Sequence, residues 1–184
     1  GYVSSRPGFG TKINHHKEDL SAFTLVESFT SEMKEYGSKI KTIKASLTIV
    51  YADEERAREM RCDIGDKLYN LKRVRGDEKG PIVYSDTWLR LPFDLPSTQD
   101  FLYGSLYQCL IEKGLYFSRF EECLSAQRST AAIEEMLQQE ENGIVLKRVR
   151  RGYDANKRMI ELTDNFYNPE RYSYEVEVDS IHKI

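Results

Sequence analysis

The pentapeptide LKRVR occurs twice in this chain, at Leu71–Arg75 and at Leu146–Arg150, and its surroundings repeat with it. Each copy follows a short acidic stretch of helical character, DEERAREM (Asp53–Met60) or TAAIEEML (Thr130–Leu137), and then a Gly-containing break, Ile64–Asp66 or Glu141–Gly143. Each is followed by a polar turn, GDEKG or DANK, and a second strand-like run. Upstream of the acidic helices lie the alternating runs ASLTIVYA and FEECLSAQ. Further upstream is a hydroxyl-led amphipathic stretch that ends in Gly, Ser28–Gly37 or Ser105–Gly114. The chain therefore reads α-β-α-β-β twice. A long period seen only twice is an internal duplication; a solenoid needs three or more stacked units. Two such halves are expected to pair about a pseudo-two-fold axis and to bring equivalent residues to one central place.

The individual elements carry ordinary signals. Ile43–Tyr51 is rich in β-branched residues and reads as a strand. Asp53 is placed to cap the helix after it. Lys67–Arg75 and Ile82–Leu91 flank GDEKG and read as a hairpin. Leu91–Asp100, with two of the five prolines, has no periodicity and serves as the crossover between halves. Phe29, Met33 and Tyr36 mark the buried stripe of a first amphipathic helix, and Tyr172–Val178 alternates like a strand. GYVSSRPGFGTKI reads as two short strands about a Pro-Gly turn. The expected product is an α+β fold, a mostly antiparallel sheet with helices packed on it.

Composition narrows the function. With 30 acidic against 27 basic residues the chain carries a formal charge of −3, which argues against a stand-alone nucleic-acid binder. No apolar run is long enough to cross a membrane, and the N-terminus has no signal-peptide pattern. A cytoplasmic protein is expected. Three cysteines without CxxC spacing indicate reduced thiols, not a disulfide framework or a zinc site. His15, His16 and His182 lie near the ends without catalytic partners. GFGTK is too short for a phosphate loop. Neither a cofactor nor a metal is read from the sequence, and no catalytic residue.

The informative constellation is cationic and hydroxylic. Arg73 and Arg75 are two apart on one strand, so both point to one sheet face. Either they face water at a strand edge or they share an anion. Arg148 and Arg150 have the same spacing, so one pair can be functional and the other structural. Helices that begin near Thr30 and Ser105 add a hydroxyl beside free backbone N–H groups, an arrangement that suits an anion as well as ordinary capping. Tyr107 and Tyr167 are candidate walls that also hydrogen-bond.

These residues resemble a known family. GYVSSRPGFGTKI is similar to the end of a GntR-type winged-helix domain, whose wing carries R-x-G-x-G-T. From Phe23 onward the chain resembles the UTRA effector-binding domain of the HutC subgroup, through ESFTSEMKEYG, LYNLKRVRGDEKGPIVYSDTWL, GSLYQCLIEKG and RVRRGYDANKRMIELTDNFYNPERYSYEV. The resemblance implies a chorismate-lyase-like α+β fold. It assigns residues 1–20 to the remnant of a wing and its linker, and 21–184 to effector binding and dimerisation. No recognition helix is visible in residues 1–20, so the chain is expected to be part of a longer regulator that meets DNA through another domain. The resemblance also implies a homodimer, repressor action and a small anionic effector, a sugar phosphate foremost. Its site would consist of Thr30, Arg73 and Ser105 around the phosphate, with Arg75, Tyr107, Glu161 and Tyr167 beside them. Ser85 stands where relatives place Glu in P-x-x-Y-E, which makes neutral sugar phosphates a better expectation than amino-sugar phosphates. The competing reading is a small lyase of the same fold acting on a carboxylated substrate, since arginines bind carboxylates equally well.

Overall fold

The computed structural model describes residues 3–6, 10–13 and 40–174. The chain divides into two units, Gly1–Glu27 with Tyr174–Ile184, and Ser28–Ser173. In the first, β1 (Val3–Arg6) and β2 (Gly10–Ile13) pair antiparallel as the expected hairpin. The expected helix at Ser28–Gly37, and with it Thr30, Phe29, Met33 and Tyr36, lies outside the described residues. So does most of the strand expected at Tyr172–Val178; Tyr172–Tyr174, the described part, has no regular structure.

The second unit runs β3 (Lys41–Tyr51), α1 (Glu54–Met60), β4 (Lys67–Asp77), β5 (Gly80–Leu89), α2 (Gln99–Tyr103), α3 (Leu106–Glu112), β6 (Arg119–Arg128), α4 (Ala131–Leu137), β7 (Ile144–Tyr153) and β8 (Met159–Tyr167). Its six strands form one sheet in the order β3-β4-β5-β8-β7-β6, antiparallel throughout. The order is palindromic about the β5–β8 junction, where Ser85 lies opposite Asn165. A two-fold through that pair carries β3, β4 and β5 onto β6, β7 and β8. Arg73 sits opposite Ser85, and Arg148 sits opposite Asn165. The duplicated pentapeptides occupy equivalent places, as the sequence repeat requires.

Local chemistry sets the boundaries. The Asp53 carboxylate accepts from the Arg56 N–H at 2.8 Å, capping α1, and the helix ends at Arg61 with φ of 52°. α4 ends the same way at Gln138, φ 53°. The β4–β5 strands extend further into GDEKG than periodicity suggests. Gly76 permits this, since a Cβ there would sit 2.1 Å from the Gly80 carbonyl oxygen. α2 begins at the end of the stretch read as an irregular crossover and runs three residues beyond it. Five residues are too few to show a helical period, yet the Thr98 hydroxyl caps it by accepting from the Phe101 N–H at 3.4 Å.

The helices divide the core between the two sheet faces. α1 buries Ala57 and Met60 against Leu68 and Leu162. On the same face α4 buries Ile133 and Leu137 against Val145 and Phe166. The opposite face carries Tyr69, Leu71 and Leu89, covered by Phe101, Leu106 and Leu110 of α2 and α3. Each fully buried aliphatic side chain of this kind contributes about 1.5–3 kcal/mol. Between those apolar ends, the middle of this second face is polar.

Candidate effector site

That polar middle is built by register. One row of side chains crosses the sheet as Arg73, Ser85, Asn165 and Arg148. The row on one side is Leu71, Thr87, Thr163 and Arg150, and on the other Arg75, Val83, Tyr167 and Leu146. The pseudo-two-fold exchanges these flanking rows, so Arg75 and Arg150 are counterparts. All of the polar members are buried except Arg150, whose side chain keeps 12% of its exposure. Arg73 and Arg75 share a face, as their spacing requires, but β4 is an inner strand, so the alternative of a solvated strand edge does not hold.

The two arginine pairs have different surroundings. Arg73 is 5% exposed, and its Nη1 donates to the Gly104 carbonyl oxygen at 3.0 Å. Its Nε is buried without an acceptor. The Arg75 side chain has neither a hydrogen bond nor an ion pair among the described residues, where its strand neighbours are Thr42 and Val83. Arg150, by contrast, donates through Nε to Glu122 Oε1 at 2.6 Å and through Nη1 to the Tyr107 hydroxyl at 3.1 Å. Arg148 Nε lies 3.8 Å from the same Glu122 oxygen, and its guanidinium stands 5.1 Å from the Tyr167 ring centre. Proton affinities follow this division. Burial pushes Arg73 well below the ordinary arginine range, and the charge on Arg75 adds to it. Burial likewise lowers Arg75. Burial would also lower Arg150, but Tyr107, Glu122 and Glu161 more than offset it, and Arg150 is raised. A guanidinium stays protonated in a protein. The downward direction reflects two charges held away from water without a carboxylate partner among the described residues.

Ser105 is exposed and caps α3, its hydroxyl oxygen accepting from the Gln108 N–H at 3.3 Å. The Arg73–Gly104 bond brings the arginine to the residue just before Ser105. Gly104 is required there, because a Cβ would lie 2.5 Å from the Asp100 carbonyl oxygen. Ser85 donates to Asn165 Oδ1 at 2.7 Å, and Asn165 Nδ2 donates to the Arg148 carbonyl at 3.3 Å. The Ser85 hydroxyl proton is thus committed within the sheet.

Glu161 and Tyr107 form a second cluster. The Tyr107 hydroxyl lies 3.0 and 3.1 Å from the two Glu161 oxygens, and the Thr163 hydroxyl donates to Oε1 at 2.7 Å. Burial raises the Glu161 carboxyl, against the opposing pull of Arg150 and of these two hydroxyls. Burial and Glu161 raise the Tyr107 phenol. Tyr167 is fully buried, stacks on Tyr172 with ring centres 4.0 Å apart, and shares a row with Arg75. The structure therefore brings Arg73 beside Gly104–Ser105 and joins Tyr107 to Glu161. Glu122, Thr163 and Asn165 are members that sequence reading did not single out. Glu122 was legible in principle, since the alternation of FEECLSAQ beside LKRVR sets an acid next to an arginine.

A cavity of about 300 Å³ opens on the other sheet face, lined by Arg56, Glu59, Trp88, Lys147 and Asp164 among others. Its acids are matched locally: Glu59 with Arg56, Asp164 with Lys147 and Asp86 with Lys72. It holds no buried, uncompensated charge of the kind found at Arg73.

Comparison with known proteins places this arrangement. The UTRA domain family matches residues 35–173. The chain belongs to the UTRA domain family. Its relatives include the mannosyl-D-glycerate transport/metabolism system repressor MngR of Escherichia coli K12, 22% identical over 173 residues, covering 94% of this chain and 72% of that protein. The HTH-type transcriptional regulator GgaR of the same organism is 25% identical over 176 residues, covering 95% and 68%. The UTRA fold is shared with the effector domain of PhnF from Mycobacterium smegmatis, at a TM-score of 0.75 and 22% identity, covering 83% of this chain and 95% of that one. The sheet is thus the α+β, chorismate-lyase-like sheet of GntR-type effector domains, and this UTRA domain is an effector-binding module of the transcriptional-regulator class.

Proposed function

We propose that this chain senses a small anionic metabolite, a sugar phosphate foremost, and acts as the effector-binding part of a cytoplasmic repressor. The observation that carries the reading is the pair Arg73 and Arg75, buried and without a carboxylate partner among the described residues, next to the start of α3. An anion seated there would accept from the planar fork of Arg73 and from the Ser105 hydroxyl. Thr30, in the stretch Ser28–Gly37 that matches Ser105–Gly114 in the sequence repeat, is assigned to the same anion. Arg75, Ser85, Tyr107, Glu161 and Tyr167 are assigned to the wall. Glu161 suits a ligand hydroxyl at the end away from the phosphate. The names of MngR and GgaR, a mannosyl-glycerate repressor and a transcriptional regulator, support a sugar-related ligand and a regulatory role.

The effector would alter DNA binding by favouring one arrangement of a homodimer over another, which requires different affinities for the two states. Residues 1–20 are assigned to the wing and linker of a winged-helix DNA reader, and 21–184 to effector binding and dimerisation. A lyase reading is less well supported. Glu161, the one fully buried acid among the described residues, is already held by Tyr107 and Thr163. The test is a thermal-shift screen of sugar phosphates, free sugars and small carboxylates. A true effector at about a hundred times its Kd should stabilise the fold by about 2.7 kcal/mol. A screen in which only carboxylates act, and are turned over, would favour the lyase.

A further inference from the structure

A chain of hydrogen bonds runs from one edge of the sheet to its polar middle. It starts at Glu122 on the edge strand β6, opposite Arg150. Glu122 Oε1 accepts from Arg150 Nε at 2.6 Å, and this charge-assisted bond fixes the plane of the guanidinium. The same fork sends Nη1 to within 3.1 Å of the Tyr107 hydroxyl oxygen, and its central carbon stands 5.1 Å from the Phe120 ring centre. Tyr107 is held by edge contacts with Phe117 and Phe120, ring centres 5.5 and 6.0 Å away. Its hydroxyl ends the chain 3.0 and 3.1 Å from the two Glu161 oxygens. Counting protons gives the chain a direction. Arginine donates and never accepts, and a tyrosine hydroxyl has one proton to give. With its oxygen accepting from Arg150, Tyr107 turns that proton onto Glu161. The Thr163 hydroxyl donates to Glu161 Oε1 at 2.7 Å. Two donors thus converge on a carboxyl that is 2% exposed. Such bonds favour the charged form, which burial opposes. A neutral Glu161 would need an acceptor for its own proton, and the phenol oxygen that could serve is occupied by Arg150.

We propose that Arg150, aligned by Glu122, is a positioning residue of the effector site: through Tyr107 it holds Glu161 as a carboxylate that can only accept, so the ligand must present a hydrogen-bond donor there. This rests on the effector reading, which assigns Glu161 to the wall, and adds a residue that touches no ligand. An ionised carboxylate has more acceptor capacity than Tyr107 and Thr163 use. A hydroxyl or an ammonium group of the ligand would satisfy the remainder. An ether or carbonyl oxygen in the same place would meet only lone pairs and be refused. The second LKRVR segment is thereby part of the site's selectivity without lining it.

The test needs no effector. Among the described residues the charged or titratable groups that act on Glu161 are Arg150 of β7, Tyr107 of α3 and Arg73 of β4; its strand neighbours Leu89 and Gly152 carry no charge. Glu161 is titrated in the whole chain through the infrared band of the neutral carboxylic acid, with Glu161→Gln as the blank. In Arg150→Met the midpoint should lie about one pH unit or more above the parent's, the usual effect of an opposite charge nearby. Arg150→Lys keeps a charge and a donor and should stay nearer the parent; it also carries the test if Arg150→Met does not fold. Stability gives a second readout. Burial raises Glu161, so stability falls as pH rises from 4.5 to the folded value, and in Arg150→Met this fall should continue to higher pH. The difference between Arg150→Met and Arg150→Met/Glu161→Gln isolates Glu161 from Glu122, which loses its partner in both. An arginine that only packs would lower stability alike at every pH. A Glu161 midpoint unchanged in Arg150→Met would overturn the proposal, as would an Arg150→Lys midpoint as high as that of Arg150→Met. The effector reading fails separately: a screen in which no sugar phosphate binds would sink that reading and leave the hold on Glu161 intact.

Discussion

The two LKRVR segments have the same sequence, the same strand environment and equivalent places about the sheet's pseudo-two-fold, yet opposite electrostatics. In the second copy Glu122 on β6 sits opposite Arg150, 2.6 Å from it and 3.8 Å from Arg148, Tyr107 reaches Arg150 from α3, and the charge of Glu161 also acts on Arg150. In the first copy the residues across from Arg75 are Thr42 and Val83, and among the described residues Arg73 donates to the Gly104 carbonyl alone. A duplicated fold supplied two equivalent cationic rows. The neighbours, not the arginines, distinguish the two rows among the described residues. Under the proposed function, the arginines assigned to the ligand are the ones without an acid beside them.

The largest expected effect breaks the neutralised copy. Glu122→Ala leaves Arg148 and Arg150 without their shared acid. Because the pair keeps some exposure, the loss should be about 3 kcal/mol, the low end for a broken buried ion pair, read as a lower urea midpoint at unchanged slope. Arg73→Met should move the midpoint the other way in anion-free buffer, upward by about 1 kcal/mol, since it removes a buried charge that has no counterion. A destabilised Arg73→Met protein would mean that the copies are less different than their contacts indicate.

On binding, Arg73→Ala should cost about 1.5–3 kcal/mol, one to two decades in affinity for a phosphorylated effector, measured by calorimetry. Arg73→Lys should recover only part, because a point charge does not replace the planar fork. Arg148→Ala stands three strands away, about 14 Å, and should change effector affinity by no more than about twofold. Equal losses at Arg73 and Arg148 would show that both copies hold the ligand.

The smallest effect concerns pH. Burial raises Glu161 in the folded protein above its ordinary 4.5. Between 4.5 and the raised value the folded state binds more protons than the unfolded one, so stability should fall as pH rises through that window. Glu161→Gln should remove that slope, and urea midpoints across the acid range would show it. A parent protein whose midpoint rises over the same window would contradict the assignment.

The sequence by itself determined the duplication, the α+β class, the antiparallel hairpins and the shared face of Arg73 and Arg75. Each of these depends on periodicity or on neighbours a few residues away, and chain-local rules suffice for them. The family was equally legible, because its motifs keep order and spacing along the chain. What only the tertiary structure decided was which residues became neighbours across strands and helices far apart in sequence. Glu122 reaches Arg150 over 28 residues, Gly104 meets Arg73 over 31, and Asn165 takes the Ser85 proton over 80. α2 was invisible because five residues do not make a period, and its end fixes the Gly104 carbonyl that Arg73 holds. Charge compensation inside a low-dielectric interior depends on distances of a few ångströms. The resemblance singled out the first pentapeptide, but the physical difference between the copies came only with the sheet, which placed an acid beside the second and, among the described residues, none beside the first.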